Sequence, residues 1–280
     1  MAYERISVSR MAGALGAQLG NVDLAQPHDP KQLDEVRDAL HEYGVIVLRD
    51  QDITSDQYLA FARHFSDILP YPLVSGLPDH PDIVPVLKRE EERVNFGGIW
   101  HSDTTYLERP PMGSMLLAKE LPPRGGDTIW SNMMMAYETL SDGMKTALDG
   151  LIAINSAKKG SAAATREDSR KDGGARDDSG LATTAEHPVV RTHPSTGKKS
   201  LYVNFGHTTH FKGMTETESA PILEYLFKHQ IRPEFTCQLH WEIGTLAFWD
   251  NRITQHLPIN DYHGYRRLLH RITLAGEVPV

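Results

Sequence analysis

Apolar residues recur along this chain with two different periods. Over residues 31–43, Leu33, Val36, Leu40 and Tyr43 fall at helical spacing, and Gly44 follows as a stop. Residues 54–66 open with Thr54 and Ser55 as cap candidates and set Tyr58, Phe61, Ala62 and Phe65 on one helical face. Between them, VIVLRD (45–50) is a continuous apolar run that predicts a buried strand, and residues 6–24 predict short strands joined by turns. The first third therefore predicts β–α–β–α scaffolding.

The second half changes period. Residues 113–121 and 126–131 predict strands, and 133–151 a helix with a Gly-containing break. HPVVRTHPSTGKKSLYVN predicts strand, turn and strand; 215–231 predicts a helix with Ile222, Leu223, Leu226 and Phe227 inward. CQLHWE, TLAFWD and RRLLHRITLAGE then alternate with turns. Many short strands with turn signals predict a mainly β protein with flanking helices and a jelly-roll or barrel core, not a Rossmann sheet. Residues 156–186 break the pattern: Leu181 is their only aliphatic residue larger than Ala. Such a stretch buries too little apolar surface to offset its ordering entropy, so it reads as an insertion or active-site lid within one domain spanning 1–280.

Composition narrows the function. The chain has 280 residues, enough for a large core, with 29 Lys+Arg against 37 Asp+Glu and a net charge of −8. That balance argues against a nucleic-acid partner. No apolar run approaches a membrane span, and no signal-like segment follows MAYERISVSR, so the expectation is a cytoplasmic protein without a membrane partner. One cysteine, Cys237, excludes a disulfide framework, whereas histidine is abundant at 14 residues. Any metal site should therefore use nitrogen and oxygen ligands. No G-x-G-x-x-G or Walker loop is present.

Two H-x-D tripeptides occur, His80-Pro81-Asp82 and His101-Ser102-Asp103, where chance alone supplies about one. The first sits in a Pro-rich loop and reads as a surface turn. The second follows Gly97-Gly98-Ile99-Trp100; in extended chain its imidazole and carboxylate share a face. His256, in FWDNRITQH just beyond a buried strand, is the candidate third ligand. Two His and one carboxylate suit a non-haem Fe(II) oxygenase, which keeps positions open for cosubstrate and O₂. A Zn²⁺ or Mn²⁺ hydrolase could use the same set to activate water, and a non-catalytic jelly-roll binding module is the third reading. In the last strand Arg267, Leu269 and Arg271 share one face. Arginines aimed into a core need anions, which their guanidinium forks bind bidentately.

The segments W-H-S-D-T-T-Y (100–106), G-G-D-T-I-W (125–130), W-D-N-R-I-T-Q-H (249–256) and the arginine-rich 260–271 together resemble the taurine dioxygenase/2,4-dichlorophenoxyacetate dioxygenase family of Fe(II)- and 2-oxoglutarate-dependent oxygenases. The resemblance spans nearly the whole chain and implies a double-stranded β-helix core. It implies that His101, Asp103 and His256 bind iron, that Thr128 and Arg267 hold the far carboxylate of 2-oxoglutarate, and that Arg271 grips an acidic substrate group. It also implies consumption of O₂, release of succinate and CO₂, and a homo-oligomer, dimer or tetramer. Tyr71 before Pro72, Thr104 beside Asp103, and His207 after Asn204-Phe205-Gly206 depart from the taurine enzyme. These three are the candidate substrate contacts, for a small organic anion among aryloxyalkanoates, alkyl sulfates, sulfonates and carboxylates.

Overall fold

A computed structural model describes residues 3–71, 74–160, 165 and 183–280. The strands are β1 (Ser7–Arg10), β2 (Ala17–Gly20), β3 (Val45–Leu48), β4 (Val84–Lys88), β5 (Gly113–Glu120), β6 (Thr128–Asn132), β7 (Ile152–Ser156) and β8 (Thr184–Pro188). They continue as β9 (Val190–Thr192), β10 (Lys199–Leu201), β11 (Thr208–Phe211), β12 (Thr236–Leu239), β13 (Leu246–Asp250), β14 (Thr254–Pro258) and β15 (Arg267–Leu274). The helices are α1 (Pro30–Tyr43), α2 (Ser55–Arg63), α3 (Met133–Glu138), α4 (Asp142–Leu148) and α5 (Glu216–His229).

A seven-stranded sheet in the order β1-β2-β3-β13-β5-β15-β4 forms one wall, and the three-stranded sheet β12-β6-β14 faces it. The alternation of β3 shows how the wall is buried on both sides. Ile46 and Leu48 pack with Leu33, Val36 and Leu40 of α1 and with Tyr58 and Phe61 of α2. Val45 and Val47 point the other way, onto Trp130, Cys237 and Leu239 of the facing sheet. Both faces being apolar explains why VIVL is a continuous run instead of an alternating one. The result is the jelly-roll core with flanking helices that the pattern predicts.

The local signals work as chemistry. Asp29 caps α1, and Gly44 ends it at φ 71°, a left-handed conformation a side chain would resist. Thr54 and Gln57 form a full capping box on α2.

Two expectations need correction. The segment 133–151 is two short helices, and the break falls at 139–141, not at Gly143, which lies inside α4. Thr139 turns its hydroxyl back onto the Met135 carbonyl at 2.8 Å, and Ser141 caps α4. Capping chemistry outweighs the helix cost of one glycine there. His256 does follow the buried strand β13 and lies in a further strand, β14, paired with Trp130 of β6, but Asp103, expected in extended chain with His101, stands in a turn. The lid expected over 156–186 falls largely outside the described residues. No helix among the described residues is long and apolar enough to cross a membrane.

Candidate active site

The metal-ligating candidates meet at the open end of the two sheets. His101 and His256 exchange backbone hydrogen bonds, N–H to O, at 3.1 and 2.9 Å. This isolated bridge brings the two imidazoles together, ring centroids 4.2 Å apart and planes tilted by 49°. Asp103 follows in a turn, its Oδ1 3.6 Å from His101 Nε2 and 3.9 Å from His256 Nε2. All three residues are buried, and one ligand atom from each lies within 4.8 Å of the others.

Each donor is held in the state a metal needs. Ile99 O lies 2.7 Å from His101 Nδ1, which places a proton on that nitrogen and turns Nε2 toward Asp103. Burial, then His101 and Arg271, push the His256 pKa well down against the pull of Asp103, so its ring is neutral. Burial alone would raise the Asp103 pKa; Arg271, His256 and His101 outweigh it and hold the carboxyl well below the usual range. Asp103 Oδ2 is engaged, accepting from Ser114 Oγ at 2.8 Å and facing Arg271 Nη2 at 2.9 Å. Oδ1 is thereby left as the free ligand atom. Two imidazole nitrogens and one ionised carboxylate oxygen fit a divalent ion of the non-haem iron type.

Gly97 makes room for that ion. It sits at φ +67°, and a Cβ there would come 2.9 Å from His101 Cε1 and 3.2 Å from His101 Nε2. Any side chain would intrude where a metal and its open positions belong.

From the triad a cleft runs to Thr128 on β6 and Arg267 on β15, with Lys88, Asn95 and Tyr262 along it. Thr128 Oγ1 accepts from Trp241 Nε1 at 3.0 Å. Its own hydrogen is therefore free to donate into the cleft. Arg267 is 4% exposed, and its Nε and Nη2 have no hydrogen-bond partner. A buried guanidinium without an anion requires one from outside the protein. A five-carbon dicarboxylate chelating the metal at one end suits this cleft.

A second space lies in front of His101 and Asp103. Tyr71, Thr104 and His207 line it together with Phe96 and Arg271. The Arg271 guanidinium lies 5.0 Å from the Tyr71 ring centroid, and Tyr71 meets Phe96 edge-on. Thr104 adopts φ 41°, rare for a β-branched residue, and its buried Oγ1 has no hydrogen-bond partner. An adjoining apolar pocket is walled by Val74, Val84, Val86, Leu87 and Phe96.

The structure thus brings all nine candidate residues into two connected spaces. His80-Pro81-Asp82 stays outside them, with His80 3.8 Å from Asp56 at the surface. Sequence reasoning missed Lys88, Asn95, Ser114, Trp241 and Tyr262. Ser114, 11 residues from Asp103, and Trp241, 113 residues from Thr128, had no local signal, because each meets its partner only through tertiary packing.

A second ligand-like cluster, His41, His193 and Asp250, is already satisfied. His193 Nε2 lies 3.0 Å from Asp250 Oδ2, and its Nδ1 accepts from the Ser195 and Thr196 backbone N–H groups. Arg252 takes both Asp250 oxygens, at 2.8 and 2.6 Å. His193 and Asp250 are thus committed to protein partners in a structural knot.

Comparison with known proteins agrees with this geometry. The "Taurine catabolism dioxygenase TauD, TfdA family" model matches residues 7–273. An alpha-ketoglutarate-dependent sulfate ester dioxygenase of Pseudomonas putida is 32% identical over 279 residues, covering 98% of this chain and 91% of that protein. An alkylsulfatase of Acinetobacter baylyi is 32% identical over 281 residues, covering 98% of this chain and 86% of that protein. The crystal structure of a putative alpha-ketoglutarate-dependent taurine dioxygenase from Burkholderia xenovorans superposes with a TM-score of 0.85 at 34% identity, covering 98% of this chain and 94% of that one. The chain belongs to the taurine catabolism dioxygenase TauD, TfdA family and is an Fe(II)- and 2-oxoglutarate-dependent dioxygenase.

Proposed function

We propose that the protein oxidises a small organic anion with an apolar body, alkyl sulfate esters first among them, at the carbon next to the charged group. The observation that carries this reading is the position of Arg271. It stands between the metal ligand Asp103 and the apolar pocket of Val74, Val84, Val86 and Phe96. A cation beside an apolar wall recognises a molecule with a charged head and a hydrocarbon or aryl tail. Taurine fits less well, because its ammonium group would face Tyr71, Phe96 and valines. The activities of the sulfate ester dioxygenase and the alkylsulfatase support the same substrate class.

In this reading His101, Asp103 and His256 hold Fe(II), which when bound with 2-oxoglutarate and O₂ supplies the oxidising power. The remaining work belongs to the chain. Thr128 donates to the far carboxylate of 2-oxoglutarate, and Arg267 pairs with it. Ser114 and Arg271 fix the Asp103 carboxylate so that only Oδ1 is presented. Arg271 also offers its charge to the substrate head, while Thr104 and His207 contact the part nearest the metal. Tyr71 and Phe96 exclude water from the reacting carbon. One oxygen atom enters the substrate and the other enters succinate, with loss of CO₂. A sulfate ester hydroxylated on its carbinol carbon then separates into an aldehyde and hydrogen sulfate. A hydrolase reading would leave Thr128 and Arg267 without a task.

Succinate release, measured with Fe(II) and 2-oxoglutarate over alkyl sulfates, sulfonates, aryloxyalkanoates and plain carboxylates, tests the proposal. The highest kcat/KM is expected for a medium-chain alkyl sulfate. Preference for taurine would overturn it. The single domain over 1–280, the cytoplasmic setting and the dimer or tetramer belong to the same proposal; light scattering of the purified protein tests the last.

A further inference from the structure

Lys88 ends β4, the edge strand of the seven-stranded sheet, and pairs directly with Arg267 of β15. Opposed residues of an antiparallel pair send their side chains to the same face. Both cations therefore enter the far end of the cosubstrate cleft beside Thr128.

Lys88 is 4% exposed, and its Nζ has no hydrogen-bond partner. It lies 4.2 Å from the Tyr262 ring centroid, and the Arg267 guanidinium lies 5.8 Å from the same ring. The acids nearby are committed elsewhere. Glu92 is held by Arg89, through its backbone N–H at 2.6 Å and its guanidinium at 3.6 Å. Asp127 accepts from Gln238 at 2.7 Å and faces His240 Nδ1 at 3.0 Å. Asp261 accepts the Gly126 N–H at 2.8 Å.

Two like charges are thus buried side by side with no carboxylate between them. Arg267 also lies 5.7 Å from the Trp241 ring centroid, but these two aromatic faces do not replace the hydration of both cations. The arrangement makes sense only if a ligand brings the negative charge.

The geometry points to Lys88 as a second cation for the far carboxylate of 2-oxoglutarate, so that this end of the cleft selects dicarboxylic over monocarboxylic 2-oxo acids. The inference rests on the reading that Thr128 and Arg267 mark that end. Lys88 binds and positions the cosubstrate and has no part at the reacting carbon. Its effect should therefore appear in affinity and in selectivity.

The test is calorimetric titration of Mn(II)-loaded protein with 2-oxoglutarate and with 2-oxopentanoate, which carries a methyl group in place of the far carboxylate. Wild type should prefer 2-oxoglutarate strongly. Lys88→Met should weaken 2-oxoglutarate by about 30-fold or more and leave 2-oxopentanoate within about twofold, because only the charged end has lost a partner. Lys88→Arg should keep most of the preference. The ligand-free Lys88→Met protein should melt no lower than wild type, since an uncompensated buried charge has been removed. Should the methionine variant not fold, Lys88→Gln carries the same expectation. A 2-oxoglutarate affinity unchanged within about twofold, or an equal loss for both acids, would show that Lys88 only packs on Tyr262. A wild type with no preference between the two acids would instead overturn the reading of Thr128 and Arg267, and the inference with it.

Discussion

The guanidinium of Arg271 is bound to the carboxylate of Asp103, Nη2 to Oδ2, at 2.9 Å, with both side chains buried. The residue expected to grip the substrate is thus also the partner of a proposed metal ligand. Substrate charge and ligand orientation are coupled through one side chain. Arg271→Gln should therefore lower kcat/KM for an anionic substrate by about 30-fold or more, the usual cost of truncating one member of a buried charge pair. Decarboxylation of 2-oxoglutarate without substrate should fall much less. Succinate measured with and without substrate separates the two effects.

The same pair predicts an asymmetry among the three metal-ligating candidates. Asp103→Asn removes the anion and leaves Arg271 buried beside a neutral amide. It should destabilise the metal-free protein by about 3–5 kcal/mol. His256→Ala removes a neutral ring, leaves no orphaned charge, and should cost less. Both variants should lose the rise in melting temperature that Mn(II) gives wild type. Denaturant titration without metal, then melting with it, checks both parts. Equal metal-free stability of the two variants would refute the asymmetry.

Thr128 offers a cleaner test of how the far carboxylate is held. Trp241 Nε1 donates to the Thr128 oxygen at 3.0 Å, which orients the hydroxyl and leaves its hydrogen free to donate. Thr128→Val should raise KM for 2-oxoglutarate about tenfold, roughly one hydrogen bond to a charged group. Trp241→Phe keeps the hydroxyl but frees its rotation, so a smaller rise is expected, with kcat unchanged in both. Initial rates against 2-oxoglutarate concentration decide it.

Gly97 tests the space around the metal. At φ +67° an alanine is strained, and its Cβ would lie 3.2 Å from His101 Nε2. Gly97→Ala should weaken Mn(II) binding about tenfold or more while lowering stability by only about 1–2 kcal/mol. Metal titration followed by fluorescence of the nearby tryptophans reads the first quantity, and chemical denaturation the second.

What the sequence disclosed, and what it withheld, follows from the range of each interaction. Caps such as Thr54 and Gly44 act within a few residues, so they could be read locally. The alternation Arg267-Leu269-Arg271 survived as one inward face because strand period is local too. By contrast, β14 was hidden: Thr254, Gln255 and His256 are polar yet buried, since they pair with β6 and face the site. Lys88 is a charged residue closing the short edge strand β4, and only its register against Arg267 buries it. Trp241 meets Thr128 across 113 residues. The metal triad was legible because family-specific motifs surround it, whereas H-x-D alone was not above chance.

Asp250 carries the prediction for pH. Its carboxyl is fully buried; burial alone would raise its pKa, but Arg252 and His193 hold it well below the ordinary value of 3.8. Above that value the unfolded and folded chains are both ionised, and the full stabilisation is present. As pH falls below it, the unfolded chain takes up a proton that the folded carboxylate refuses. Stability is then lost progressively until the lower folded value is passed. Wild type should therefore show a steep fall in unfolding free energy below about pH 4. Asp250→Asn should be less stable at neutral pH by about 3–5 kcal/mol, because Arg252 loses its buried partner. Its stability should also fall less steeply with acid, since one depressed carboxyl is gone. Urea unfolding of both proteins from pH 3 to pH 7 checks the two slopes, and parallel curves would show that the knot around Asp250 does not govern acid lability.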